Sequence, residues 1–324
     1  MIYTLIVFLI NSFFCTFSSA HHNDEQNLKF IHETFPFKEL TAEEKQLAYV
    51  PCPDGIHLGA YRYYWDVPSM QYFSNQVKDG QNILEIGCAT GKLSFQLCRE
   101  KPKARIIALD FNIKGIDEAL DGQRILVALN IHQFRHITFE CYDFSKQFFY
   151  SRDYNFDHIS FFNAAHLLTP HQLHTAFCNI RNCLTDEGTL YFSMVAMISS
   201  VKNDTTFMDK YTNALTKRDI QYPGYVYGTS TDLSGKQNSF AYDFAEKMTS
   251  IPFPYQNIKN EKTLFLGDIQ TIKRMMKDHQ IKPKFMFYSS ARLQKHFINI
   301  EDAMKETGDI TLHIIAQLAQ LDTE

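Results

Sequence analysis

The residues best placed to do chemistry form one short run, Glu85-Ile86-Gly87-Cys88-Ala89-Thr90-Gly91. The apolar stretch Ile83–Ile86 leads into it and Lys92-Leu93 leads out. Its two glycines let a backbone turn sharply between a strand and a helix and let a ligand approach closely. A helix starting at Gly91 offers unpaired N–H groups and the positive end of a dipole. Asp110 closes the next apolar run, where a carboxylate can accept both hydrogen bonds of a ribose diol. These features predict an adenosine-bearing ligand over the first two strands, at the carboxyl ends of a parallel sheet. The G-x-x-x-G spacing, with Ala89 between, departs from the dinucleotide fingerprint G-x-G-x-x-G, and there is no G-K-[ST] phosphate loop.

Other reactive side chains are more scattered. His166 follows an apolar run and could act as a general base; the plainer reading is a polar loop residue packed at the sheet edge. His166, His171 and His174 lack an acid or cysteine to complete a metal set, so no metal is expected. His21-His22 could hold copper at a processed terminus but reads better as a plain terminus. Asn203-Asp204-Thr205 is a glycosylation triplet of a kind common by chance. Tyr61, Tyr63, Tyr64 and Trp65 form an aromatic cluster suited to a lid or to a core.

The elements that position the glycine run follow from periodicity. Strands are expected at Ile83–Ile86, Arg105–Leu109, His136–Tyr142, His158–Phe162 and Thr189–Val195. Helices are expected at Gly91–Arg99, Ile113–Leu129 and Pro170–Leu184, with another over Tyr61–Gln76 if Pro68 falls in its first turn. Strands alternating with helices mean βαβ units and a parallel sheet. The strands are nearly all apolar, as a sheet covered on both faces requires. The alternation breaks near Ser199. Residues 200–262 hold one helix, Thr206–Lys217, and an irregular stretch including Tyr222, Tyr225 and Tyr227. A connection this long is usually functional. The pattern resumes with a helix at Asp268–Gln280, a strand at Lys284–Tyr288, a helix at Ile300–Thr307 and a strand at Ile310–Gln317.

This order of motifs resembles the class I S-adenosylmethionine-dependent methyltransferases. The family's first motif, [D/E]-x-G-x-G-x-G, is matched by Glu85 to Gly91 except at Ala89. Ala108-Leu109-Asp110-Phe111-Asn112 resembles the second motif and Cys141-Tyr142-Asp143-Phe144 the third. Phe156 to Leu168 looks like the fourth strand and its exit loop, and Leu184 to Leu190 like the L-x-P-G-G turn, with Asp186 and Glu187 replacing Pro and the first Gly. The resemblance implies a Rossmann-like, doubly wound, mostly parallel seven-stranded α/β sheet with a cap inserted after the fifth strand. It implies S-adenosyl-L-methionine as cofactor, held by Glu85, Gly87, Cys88, Ala89, Gly91, Asp110, Phe111, Asp143, Phe144 and Asn163. Within that set it places Asp110 on the ribose, Phe111 beside adenine and Asp143 at the adenine amino group. The amine-methylating tetrapeptides N-P-P-Y and D-P-P-Y are absent; Asn163-Ala164-Ala165-His166 stands there. That disfavours methylation of a nucleobase amine; the exit loop instead resembles small-molecule methyltransferases acting on carboxylic acids or hydroxyls, which implies transfer to an oxygen, with Tyr222, Tyr225 and Tyr227 in a substrate cap. A protein substrate, or a non-catalytic exported binding protein on the same scaffold, are the alternatives.

Composition sets the outer limits. The 324 residues suit two folding units or one enlarged domain, and 45% hydrophobic with 21% charged residues excludes a disordered chain. A net charge of -4 argues against a nucleic-acid partner. Residues 1–20 carry no charge, hold an apolar core from Leu5 to Ile10 and end Ser18-Ser19-Ala20, as a cleaved signal peptide does; an uncleaved anchor or a mis-assigned start are the other readings. Export is therefore expected, with a cytoplasmic or anchored protein as the alternative. The 7 cysteines show neither a disulfide framework nor a C-x-x-C, which suits a reducing compartment instead. The expected layout is a signal over 1–20, an extension over 21–60 and the methyltransferase domain over 61–324, with 200–262 as its cap.

Overall fold

The computed structural model describes residues 25–37, 68–129, 131–146, 155–197, 202, 205–217, 221–229, 243–244, 261–290, 295–306 and 309–319. The signal reading of residues 1–20, the copper pair His21-His22, the sequon at 203–205 up to its last residue and the aromatics Tyr61 to Trp65 lie outside them. Among the described residues no helix is long and apolar enough to cross a membrane.

Strands β1 (Asn82–Ile86), β2 (Arg105–Asp110), β3 (Ile137–Cys141), β4 (Phe156–Phe162) and β5 (Leu184–Met197) run parallel. Beyond β5 the sheet continues through β9 (Ile281–Ser290), β10 (Lys295–Phe297) and β11 (Ile310–Leu318) in the order β10-β9-β11-β5-β4-β1-β2-β3. β11 runs antiparallel between β5 and β9. The order reverses between β1 and β4, and that switch point is where sheets of this kind open a ligand crevice.

Helices cover both faces. On one face lie α1 (residues 25–34), α2 (Pro68–Gln76), α3 (Lys92–Glu100) and α4 (Ile113–Ala128), whose Ile31, Phe73, Leu97 and Ile116 join Ile83 and Ile106 in one apolar layer. On the other lie α5 (Pro170–Cys183), α6 (Thr205–Lys217), α7 (Ile269–Asp278) and α8 (Ile300–Lys305), burying Phe177, Tyr211, Met275 and Ile300 against Leu84 and Phe192. The helix starts are locally encoded. Thr169 and Gln172 form a capping box with Pro170 in the first turn of α5, and Asn112 and Asp268 cap α4 and α7.

Three sequence expectations need correction. The sheet has eight strands, because the short hairpin strand β10 pairs with β9. Residues 184–190 are not a plain turn but the start of β5, with two steps on β4, from Phe156 to His158, spanning Leu184 to Thr189 opposite. That is a bulge, which absorbs Asp186 and Glu187 without ending the strand. A further finding is that residues 25–37, part of the expected extension, bury Ile31 and Phe35 in the same layer as α2. The inserted segment is not wholly irregular; β6 (Tyr225–Thr229), β7 (Asp243–Phe244) and β8 (Glu261–Phe265) form a second, antiparallel sheet in the order β7-β6-β8.

Candidate active site

Two loops meet at the switch point. The first, after β1, is held open by left-handed backbone at Gly87 (φ 79°), Ala89 (φ 50°) and Gly91 (φ 74°). The second, after β4, has the same conformation at Asn163 (φ 50°). A Cβ on Gly87 would lie 2.8 Å from the Ala164 Cβ, so only glycine lets the two loops touch. A Cβ on Gly91 would lie 2.4 Å from the Phe139 ring. Ala89 is the departure from the family motif, and it takes the conformation that glycine would take there at lower cost.

Asp110 ties the loop to β2. One carboxylate oxygen accepts the Ala89 N–H at 2.8 Å, and the other accepts the Asn112 N–H at 2.8 Å. A carboxylate oxygen can accept more than one hydrogen bond, which suits this residue type to a ligand diol. The N–H groups of Gly87 and Cys88 both donate to the Leu109 carbonyl, at 2.8 and 2.9 Å. Glu85, two residues before the loop, is 3% exposed and accepts the hydroxyl of Ser94 from the first turn of α3. Burial, reinforced by the Asp110 carboxylate, pushes the Glu85 carboxyl up to about 8. Burial and the same two acids push the Cys88 thiol far above its usual range.

The third motif is split in two. Asp143 accepts the Ser145 N–H at 3.0 Å and its hydroxyl at 2.5 Å, and lies 3.4 Å from the Lys146 ammonium. The Phe144 side chain is core, 4% exposed, and its carbonyl accepts from the Asn179 amide at 2.9 Å. Phe111 sits at the loop between β2 and α4, half-buried, with its carbonyl accepting the Cys141 thiol at 3.4 Å. Asn163 donates its N–H to the Ser193 carbonyl at 3.0 Å and accepts the Ser193 hydroxyl at 3.2 Å. His166 lies in a short 3-10 turn, Ala165–Leu167, immediately after that loop, and β8 of the second sheet packs on this turn.

The three cap tyrosines part company. Tyr222 is an anchor, its hydroxyl 3.1 Å from His174 Nε2 on α5 and its ring 5.9 Å beneath the Arg274 guanidinium on α7. His174 continues to His279 at 3.0 Å. Tyr225 is 4% exposed and packs edge-on against Phe265. Tyr225 is thus buried and Tyr222 only partly so, and of Tyr227 only the backbone pairing with Thr263 falls within the described residues. Sequence reasoning missed two site residues. Ser94 carried no signal, because its partner Glu85 lies on another element. Gly115 did: a glycine inside α4 marks a close approach, and a Cβ there would lie 2.9 Å from the Ala89 carbonyl. Among the described residues no cluster could hold a metal ion, and Cys88, Cys98, Cys141, Cys178 and Cys183 are all free thiols.

Residues 84–190, from the first strand of the motif to the body of β5, match the family described as methyltransferase domain. Residues 84–190 thus carry a methyltransferase domain, of the class I, Rossmann-like, S-adenosylmethionine-dependent kind. No curated protein matches this methyltransferase. Among solved structures it is similar to an S-adenosylmethionine-dependent methyltransferase of Methanosarcina mazei, at 13% identity over 76% of this chain and 96% of that one, with a TM-score of 0.49. It is also similar to one from Clostridium acetobutylicum, at 16% identity over 76% and 87% of the two chains, with a TM-score of 0.43. A third is the O-methyltransferase of a trans-AT PKS multienzyme of Brevibacillus brevis, in complex with S-adenosyl-L-homocysteine, at 13% identity over 74% and 67%, TM-score 0.43.

The donor set of the methyltransferase suits that cofactor. Two buried carboxyls, Glu85 and Asp110, flank the loop, and the Asp110 charge disfavours a pyrophosphate there. A nucleoside carrying a positive charge meets the opposite conditions.

Proposed function

We propose that this methyltransferase acts on an oxygen of a small molecule, a carboxylate or a hydroxyl. The observation that carries the reading is the Asn163-Ala164-Ala165-His166 turn, which lacks the amine-methylating tetrapeptide and lies under β8 of the inserted sheet. A covered turn suits an enclosed acceptor better than a long peptide groove.

When bound, S-adenosylmethionine supplies an activated methyl carbon for in-line attack. The chain's part is chiefly alignment, which alone is worth about 7–11 kcal/mol. Asp110 would hold the ribose hydroxyls. Phe111 would hold adenine and Asp143 its amino group. Phe144 contributes through its backbone, because its ring is committed to the core. Gly87, Cys88 and Gly91 keep the loop close to the ligand, and Asn163 fixes the neighbouring loop through Ser193. His166 receives the proton of a hydroxyl acceptor; a carboxylate acceptor needs no base.

Calorimetric titration of S-adenosylmethionine into the wild type and Asp110→Ala tests the site. The expected result is micromolar binding that the variant loses. No binding at millimolar ligand by folded protein overturns the reading. Acceptor class is then read from transfer of labelled methyl to panels of small carboxylates, phenols and basic peptides. Label confined to the peptides would overturn the small-molecule reading.

A further inference from the structure

Three carboxyls are buried among the described residues: Glu85, Asp110 and Asp268. Asp268 is explained by its cap on α7, where it accepts the Thr271 N–H at 3.1 Å. Glu85 and Asp110 instead lie on neighbouring strands at the switch point, with Glu85 next to last on β1 and Asp110 last on β2. Every element around Glu85 contributes to its surroundings. From α3 comes the Ser94 hydroxyl, and Lys92, at the start of that helix, has its ammonium pushed down by burial. From β2 come Ala108, directly opposite, and the Asp110 charge. From β4 comes Ser160, directly opposite, with His158 two residues before it bonded to Gln81 and Tyr191 and pushed down by burial. Cys88 in the loop stays a thiol. The Ser94 backbone N–H donates to it as well, but a carboxyl sealed from water with a second acid nearby favours its neutral form.

We infer that Glu85 distinguishes the methyl-bearing cofactor from its spent product, giving up its proton when a sulfonium fills the site and keeping it when the neutral thioether does. The inference rests on the cofactor site proposed above. S-Adenosylmethionine and S-adenosylhomocysteine share the same nucleoside and amino-acid groups and differ by one positive charge at sulfur. With the first, the proton leaves the Glu85 carboxyl for the buffer and a carboxylate remains whose charge offsets the cation. With the second the sulfur is neutral and the α-ammonium is common to both compounds, so nothing added at sulfur offsets a buried carboxylate and the carboxyl keeps its proton. Ser94 is a positioning residue here: its hydroxyl favours the carboxylate, so it sets how much the exchange costs.

The test is titration calorimetry of both compounds into the full chain at pH 6 and pH 7, each in two buffers of different ionisation enthalpy. The expected result is release of close to one proton with S-adenosylmethionine, and binding about tenfold tighter at the higher pH. S-Adenosylhomocysteine is expected to show neither. In Glu85→Gln the pH dependence should vanish. Ser94→Ala should weaken S-adenosylmethionine at pH 7 and leave S-adenosylhomocysteine unchanged. Equal proton release and equal pH slopes for the two compounds would overturn the inference and leave the cofactor site standing. Failure of both to bind at any pH would overturn the cofactor site as well.

Discussion

Ala89 shows how a single side chain can be tolerated where its family uses glycine. Its left-handed backbone is strained, yet its N–H is held by Asp110 and its carbonyl is packed by Gly115. Ala89→Gly should therefore stabilise the protein by about 1 kcal/mol, read as a higher urea midpoint at unchanged slope. Gly91→Ala should do the reverse by more, because strain and the Phe139 ring act together. Glu85 adds a pH term. Its carboxyl rises from the ordinary 4.5 to about 8 on folding, so its contribution is complete below pH 4.5 and is lost as pH rises to 8. The loss is up to roughly 5 kcal/mol, and Glu85→Gln should remove that slope from denaturation curves. The residue types at this site were legible from the motif alone. The Ser94 contact was not, because a hydrogen bond between a strand and the following helix leaves no spacing rule in the chain.

At the scale of elements, β11 is stitched to its surroundings by one imidazole. His313 is fully buried, 2.8 Å from the Ser69 hydroxyl of α2 and 2.7 Å from the Ser289 hydroxyl of β9, and stacked on Phe287. His313→Ala should cost about 3 kcal/mol or more in unfolding free energy, by leaving two buried hydroxyls without that partner. The inserted segment is stitched in the same way by Tyr222 and His174. Tyr222→Ala should raise KM for the acceptor several-fold while the cofactor Kd stays put; equal loss of both would place Tyr222 in the cofactor site. The five parallel strands were legible because burial on both faces makes them continuous apolar runs. β10 was hidden by being three residues long, and β9 began earlier than expected because Pro283 masks its start. The proline is tolerated where β10 does not yet reach β9. The second sheet was hidden because β6 and β8 pair across a long stretch of Tyr-, Pro- and Gly-rich sequence.

The molecule as a whole should be most stable near pH 6.5. His313 and His296 are both pushed down to about 3 by burial, so their contributions are complete above the ordinary 6.5 and are lost as pH falls toward 3. Glu85 removes stability on the alkaline side. Thermal melts from pH 4 to pH 9 should trace this asymmetric dome, and S-adenosylmethionine should raise Tm most on its alkaline flank. A dome centred above pH 8 would contradict both assignments. Where the inserted sheet joins the body, the Leu266 N–H donates to the Gly224 carbonyl at 2.8 Å, and a Cβ on Gly224 would lie 1.9 Å from the Leu266 oxygen. The Gly267 N–H donates to Val195 at 2.9 Å. The chain thus leaves and re-enters through a neck one backbone wide. Lengthening a closed loop costs only about 0.6 kcal/mol per doubling, so whatever hangs beyond such a neck can be redrafted almost freely. The scaffold behaves as a socket, and grafts exchanged at Tyr225 and Phe265 are the natural route by which one methylating body could be fitted to new acceptors.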